Sequence, residues 1–341
     1  MDYEQLARTT LSKRDRFYNH APQDAFFLTT NIEDVGDYIR ARNCLNHGEF
    51  VYDVAMAGQG NMNYLVRVTT NLRTFILKQS RPWVEKYSEI AAPFDRALVE
   101  GEFYHLAAGT EAATFMPKLY WVDEQSRIIC LEDLGTSGDF TNIYSGVPVQ
   151  AKELEQLCYF LSLLHCTSSK LSNRDMRVLN HFHIFVLPFR PDSNIDLNQF
   201  TPGLQSIADD VKANQLLVSR TSELGRLYLS EGRFLLHGDY FPGSWVRSAS
   251  GIRVIDPEFG FAGPREFDLG VMFAHLLISG VNNVRASLNS YTHWIELDEG
   301  LVRGFAGVEI LRRILGAAQL PIALDLNRKQ SLIETAVRLV V

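Results

Sequence analysis

Asp239 stands in the segment His237-Gly238-Asp239-Tyr240-Phe241-Pro242-Gly243-Ser244, directly after the apolar run Phe234-Leu235-Leu236, and seventeen residues further on comes Asp256-Pro257-Glu258-Phe259. An aspartate in a loop after a strand can accept the proton of an attacking hydroxyl, and a hydroxyl such as that of Ser244 several residues on can face a metal. Two carboxylates one residue apart at a strand end can reach one Mg²⁺, which takes oxygen ligands and keeps part of its water shell. A candidate base and a candidate metal pair, joined by one hairpin, form the strongest chemical signal in the chain.

Two weaker features share that chemistry. Lys78 ends an apolar strand, and Glu100 and Glu102 follow on a helix about two dozen residues later. A lysine can bridge nucleotide phosphates while a helix carboxylate holds it in place, an arrangement used by protein kinases. Gly58-Gln59-Gly60-Asn61-Met62-Asn63 lies between two strands, where glycines allow backbone N–H groups close to phosphate oxygens, although glycine turns between strands are common for reasons of geometry alone. Together these residues can hold a nucleoside triphosphate and a metal beside a hydroxyl.

Other candidates are weaker. His181-Phe182-His183 would place two imidazoles on one face of a strand, without a carboxylate or cysteine at supporting spacing. His165-Cys166 reads as part of a buried helical face, with Cys166 a core residue, because nucleophilic catalysis needs a spatial geometry that adjacency does not supply. The four tryptophans read as packing residues, with Trp83 near enough to Lys78 to border a ligand cleft.

The elements that must position these groups follow from periodicity. Residues 51–56, 64–68 and 75–79 alternate as three antiparallel strands. Pro93 opens a helix through about Ala108, and strands at 118–122 and 127–131 flank the turn Asp123-Glu124-Gln125-Ser126. After Gly135 the chain is mainly helical, with Leu154, Leu157, Leu161 and Leu164 at helical spacing and the short runs 234–236 and 252–255 flanking the Asp239 segment. The expected fold class is α+β, with an antiparallel sheet lobe (residues 1–134), a mainly helical lobe (residues 135–341) and a ligand cleft between them.

Composition narrows the partners. The chain has 341 residues, 33 Lys and Arg against 40 Asp and Glu, and a formal charge of −7. Without a basic block it is a poor match to nucleic acid. Four scattered cysteines form no C-x-x-C motif, which suits a reducing compartment. The start carries no signal-peptide pattern, and the longest apolar run, 269–281, contains His275. At about 13 residues that run is shorter than the ~20 a membrane span needs, so it reads as a buried helix, and the expected location is the cytoplasm, away from membranes.

On these residues the chain resembles the aminoglycoside phosphotransferase and choline kinase superfamily, with its protein-kinase-like fold, and within it the methylthioribose kinases, over about residues 30–330. The resemblance implies ATP and Mg²⁺ as cofactors and a small-molecule hydroxyl as substrate. It assigns Gly58, Gly60, Asn61 and Asn63 to the phosphate loop and Lys78 to the lysine strand. It favours Glu100 over Glu102 as the lysine's partner and reads Leu131-Glu132-Asp133-Leu134 as the lobe connector, whose backbone at Glu132 and Leu134 would meet adenine. Asp239 would be the catalytic base; Asp256, Glu258 and Ser244 would hold the metal; Asp268 would support the catalytic loop. Gly307-Val308-Glu309-Ile310-Leu311-Arg312-Arg313 is similar to the segment whose paired arginines, Arg312 and Arg313, contact the sugar. Ser244, where many relatives carry Asn, fits the methylthioribose kinases; Tyr240-Phe241-Pro242 departs from their usual Leu-His-Thr. The implied reaction is phosphorylation of 5-methylthioribose in methionine salvage. Alternatives are another acceptor (an aminoglycoside, a choline-type amino alcohol or a different sugar) or nucleotide binding without turnover. A homodimer is compatible with this reading.

Overall fold

The computed structural model describes residues 12–58, 62–136, 138–193, 195–281, 284, 288–293, 296–317, 319–320, 322 and 324–341. They group into two compact units, one running up to Gly101 and including Lys118–Asp133, the other comprising Glu102–Pro117 and Leu134–Val341. Residues 102–117, within the expected N-terminal lobe, thus group with the second unit.

The first unit contains α1 (Lys13–Tyr18), α2 (Ile32–Ala41), β1 (Val51–Met56), β2 (Tyr64–Thr70), β3 (Thr74–Gln79), the hairpin β4 (Trp83–Val84) and β5 (Tyr87–Ala91), the start of α3 (Arg96–Ala107), β6 (Leu119–Asp123) and β7 (Ile128–Glu132). Five strands form an antiparallel sheet in the order β1-β2-β3-β7-β6. Val66, Leu77 and Cys130 lie in register across β2, β3 and β7, and α2 covers the same core with Val35, Tyr38 and Ile39 at helical spacing. Each fully buried aliphatic side chain contributes about 1.5–3 kcal/mol, and a slip of one residue would turn the whole row outward, so this core fixes the register. Strand alternation then sends Lys78 to the opposite face from Leu77. The Asn31 side chain caps α2 by accepting a hydrogen bond from the Asp34 N–H at 3.0 Å.

The second unit holds α4 (Ala151–Leu164), α5 (Arg174–His181), α6 (Leu204–Ala213), α7 (Gln215–Leu229), β8 (Phe234–Leu236), β9 (Trp245–Ser248), β10 (Gly251–Val254), β11 (Phe261–Gly263), α8 (Glu266–Ile278), α9 (Glu299–Leu315) and α10 (Leu326–Val340). Helix α8 is buried on nearly every side, and α9 packs between it and α10. A side chain at Gly270 would place its Cβ 2.5 Å from Phe305 Cβ, so the glycine is what allows α8 and α9 this close approach.

The structure corrects three expectations. The runs 234–236 and 252–255 are not partners: β8 pairs with β11 and β10 with β9, a pairing invisible to periodicity because each strand has three or four residues. His181 ends helix α5, and His183 lies in the π-helical turn Phe182–Val186, so the two imidazoles do not share a strand face. Cys166 is exposed, its Sγ 3.0 Å from His293 Nε2, because α4 has already ended at Leu164. The apolar run 269–281 lies largely within α8, and no helix among the described residues is long and apolar enough to cross a membrane.

Candidate active site

The loop bearing Asp239 is built from the backbone outward. Gly238 adopts φ +82°, the left-handed region, and a Cβ there would fall 2.1 Å from the Phe259 carbonyl oxygen. Only glycine meets both demands. Gly238→Ala is therefore expected to lower the melting temperature clearly and to disturb both the Asp239 and the Glu258 loops, measurable as a thermal shift together with lost turnover. Asp268, in the first turn of α8, clamps the loop: Oδ2 accepts from the His237 N–H at 2.7 Å and Oδ1 from the Gly238 N–H at 2.9 Å. Behind it His165 is fully buried, and burial, opposed by the Asp268 hydrogen bond, pushes its pKa down. An ionised carboxylate only accepts, so Nε2–H of a neutral His165 donates to Asp268 at 3.2 Å and Nδ1 accepts from the Tyr291 hydroxyl at 2.9 Å.

His237 ties the two chemical loops together, its Nε2 lying 2.9 Å from the Ile255 carbonyl oxygen. Asp256 follows with φ +61° and ψ +49°, a left-handed conformation that costs a non-glycine residue about 1–2 kcal/mol and that aspartate tolerates better than most. It is retained here at the entrance to the short helical turn Pro257–Phe259. Asn173 Nδ2 donates to the carbonyls of Glu258 and Gly260 at 2.9 Å each, and Glu258 is buried. Ser244 is buried as well, and its Oγ donates to the Asp239 carbonyl at 3.0 Å.

The arginine pair meets Asp239 directly. Nη2 of Arg312 and Nη2 of Arg313 each lie 3.2 Å from Asp239 Oδ1. Neighbours on a helix point about 100° apart, so their convergence needs a cause. That cause is Glu309, one turn earlier on α9: Oε1 accepts from Arg313 Nε at 2.8 Å and Oε2 from Arg312 Nε. Burial alone would push the Glu309 carboxyl up, but the two guanidiniums and the His275 hydrogen bond hold it well below the usual carboxylate range. His275 is fully buried, and burial pushes its pKa down against the pull of Glu309. Its Nε2–H accordingly donates to Glu309 Oε1 at 3.0 Å, and its Nδ1 accepts from the Tyr144 hydroxyl at 2.5 Å. The result is a buried chain, Tyr144 to His275 to Glu309 to the arginines, ending on Asp239. The other carboxylate oxygen of Asp239, Oδ2, makes no hydrogen bond among the described residues and is the atom open to an incoming proton.

In the first unit Lys78 Nζ lies 2.5 Å from Glu100 Oε2, both side chains almost fully buried, whereas Glu102 falls in the second unit. Gly58 has φ +74° with open space around it. Asn63 is buried, with its Oδ1 accepting from Arg96 Nη2 at 2.9 Å. Gly60 and Asn61 lie outside the described residues. Glu132 ends β7, and its Oε2 accepts from the Lys118 N–H at 3.1 Å. Asp133 makes a two-pronged pair with Arg67, at 2.7 and 2.9 Å, that fixes the chain just before Leu134. The first unit thus holds the turn at Gly58 and the buried Lys78–Glu100 pair, and the second, by itself, holds the clamped Asp239 loop and the acidic turn after β10.

A model of the phosphotransferase enzyme family matches residues 53–303. The chain belongs to that family. This phosphotransferase is 24% identical to a methylthioribose kinase of Bacillus cereus (strain G9842), the match covering 81% of this chain and 82% of the relative. Its fold is that of the choline kinase LicA from Streptococcus pneumoniae, at 15% identity with a TM-score of 0.55, covering 89% of this chain and 98% of that one. The spectinomycin phosphotransferase APH(9)-Ia, solved with ADP and spectinomycin, shares it at 13% identity with a TM-score of 0.54, covering 92% and 98%. The phosphotransferase is thus an ATP-dependent small-molecule kinase, with the α+β architecture read from the sequence.

Proposed function

We propose that this kinase transfers the γ-phosphate of ATP to a hydroxyl of a neutral sugar, the 1-hydroxyl of 5-methylthioribose, and so serves methionine salvage. The observation that carries the reading is the convergence of Arg312 and Arg313 on Asp239 over Glu309. Two guanidiniums balance two carboxylates, leaving no net negative charge to attract the ammonium of an amino alcohol or aminoglycoside. What remains is a set of fixed N–H donors, which suits uncharged ring hydroxyls. The methylthioribose kinase relatives support the same choice.

In this mechanism Asp239 Oδ2 takes the acceptor's hydroxyl proton while the arginines fix Oδ1, so the base presents one oxygen in one orientation. Lys78, steadied by Glu100, would hold the nucleotide phosphates under the loop of Gly58, Gly60, Asn61 and Asn63, and the backbone at Glu132 and Leu134 would meet adenine. Asp256 and Glu258 fit Mg²⁺: they are hard oxygen donors, and no third acidic, histidine or cysteine ligand joins them among the described residues, as suits a metal that completes its shell with phosphates and water. Ser244 would assist with its oxygen. The metal, when bound with ATP, would neutralise phosphate charge. None of the four cysteines forms a disulfide, which suits the cytoplasm.

The test is an ADP-release assay over methylthioribose, other pentoses, choline and aminoglycosides. Methylthioribose is expected to give the highest kcat/KM. Turnover confined to the cationic acceptors would overturn the neutral-sugar reading, and ATP binding without turnover of any acceptor would overturn catalysis.

A further inference from the structure

Past Asp268, every buried position of α8 carries glycine or an apolar side chain except His275, which is fully buried. A leucine there would pack without further demands, whereas a buried imidazole costs stability unless its nitrogens find partners. Both nitrogens find them, on two other elements. Nε2 donates to Glu309 on α9 at 3.0 Å, and Nδ1 accepts at 2.5 Å from Tyr144 in the short helical turn Thr141–Ser145. Burial pushes the Tyr144 phenol up, so its hydroxyl keeps the proton that it donates.

The row does not conduct protons. It reaches Asp239 only through Arg312 and Arg313, and a guanidinium does not give up a proton in a protein. What it can do is decide between two geometries of Glu309. A carboxylate beside an arginine frequently forms a two-pronged pair with one guanidinium, which here would leave the other arginine unheld. Instead Oε2 serves Arg312, while Oε1 serves Arg313 and His275 together. The Nε2–H of His275 therefore holds the carboxylate, from α8, in the orientation that gives each arginine one oxygen. The imidazole is also braced on its face by Phe241 of the Asp239 loop, with ring centres 5.4 Å apart, and the Arg313 guanidinium lies 4.9 Å from the centre of the same phenyl ring. A polar network whose members are all satisfied specifies one arrangement of its core.

We propose that Tyr144 and His275 are positioning residues for phosphoryl transfer: the Tyr144 hydroxyl fixes the His275 ring, and the ring fixes Glu309 between the two arginines that hold Asp239. The proposal rests on Asp239 as the base and is independent of which acceptor the enzyme uses.

Tyr144→Phe removes one hydroxyl and keeps the ring. With the best acceptor of the panel, its kcat is expected to fall about tenfold or more, toward the ~10²-fold that a small misplacement of a reacting group costs, while KM for ATP stays within about twofold. His275→Leu should lose at least as much, and the double variant no more than His275→Leu alone, because the hydroxyl acts only through the imidazole. In His275→Gln the amide N–H can donate to Glu309 and the amide oxygen accept from Tyr144, so kcat should return to within about threefold of wild type. Nitrogen NMR of ring-labelled histidine gives a readout without turnover, on the full-length protein free of ATP and acceptor. His275 is expected to show one protonated and one bare nitrogen, and the bare-nitrogen signal should move in Tyr144→Phe. A Tyr144→Phe enzyme within about threefold of wild-type kcat, beside a strongly impaired Asp239→Asn, would overturn the positioning role alone. Additive losses in the double variant, His275→Gln as impaired as His275→Leu, or a doubly protonated His275 in the wild type would overturn it too. An unimpaired Asp239→Asn would overturn the base itself, and the positioning role with it.

Discussion

Asp239→Asn is expected to lower kcat by about 10²–10⁴-fold, the range that general-base catalysis contributes, while KM for the acceptor changes by only a few-fold. Asparagine keeps the size of the side chain and an oxygen that can accept from Arg312 and Arg313, which now meet Oδ1 at 3.2 Å each. What it loses is the second carboxylate oxygen, the atom free of hydrogen bonds among the described residues, and with it the proton acceptor. Steady-state ADP release, with the best acceptor of the panel, separates the two parameters. The contrast with Arg313→Lys is informative: lysine keeps the charge but not the rigid fork, so it should mis-aim Asp239 and raise KM as well as lowering kcat. An Asp239→Asn enzyme within threefold of wild-type kcat would mean that proton transfer at this residue does not limit the reaction.

The residues proposed for this chemistry, and the elements that carry them, are legible in the sequence to different degrees. Strands β1 to β3, β6 and β7 are apolar runs of five to seven residues bounded by turns and lie within a residue or two of the expected ranges, although only β2 alternates cleanly and β7 is buried at four consecutive positions. Helix α8 was harder to delimit, because apolar residues all round leave no amphipathic stripe. Strands β8 and β11 have three residues each and pair across an intervening hairpin, so only the folded chain reveals them. The Asp239 loop was conspicuous because its residue types are unusual for a turn. Glu309, His275 and Tyr144 were not singled out, although two signals were present. Glu309 precedes Arg312 and Arg313 by three and four residues, the spacings at which a helix brings side chains together. His275 interrupts an apolar run, and a buried imidazole calls for a polar partner that lies 34 residues away. The first signal is readable along the chain; the second is a demand whose answer only the packing of α8 on α9 supplies.

Glu309→Gln is expected to be the most destabilising single change in the site. The carboxylate is 1% exposed and is the partner of two nearly buried guanidiniums and of His275. Removing one partner of such a cluster leaves uncompensated buried charge and costs about 3–5 kcal/mol, whereas an exposed pair is worth about 1 kcal/mol or less. Glutamine offers one accepting oxygen where two guanidiniums and an imidazole now converge, and its amide would face an arginine donor with another donor. The pH dependence gives a second signature. Because the folded-state pKa of Glu309 is depressed, its contribution is fully present above the unfolded-state value of about 4.3 and is lost as pH falls below that toward the folded value. Melting curves of wild type and Glu309→Gln should therefore be separated by a constant interval from neutral pH down to about 5 and draw together in more acidic buffer. Other carboxylates titrate in both proteins and cancel in the difference. Wherever the variant is folded, its kcat should still fall, because Arg312 and Arg313 would lose the anchor that turns two neighbouring helix positions toward one oxygen of Asp239. A stable Glu309→Gln with a pH-independent interval would show that the arginines hold Asp239 without it.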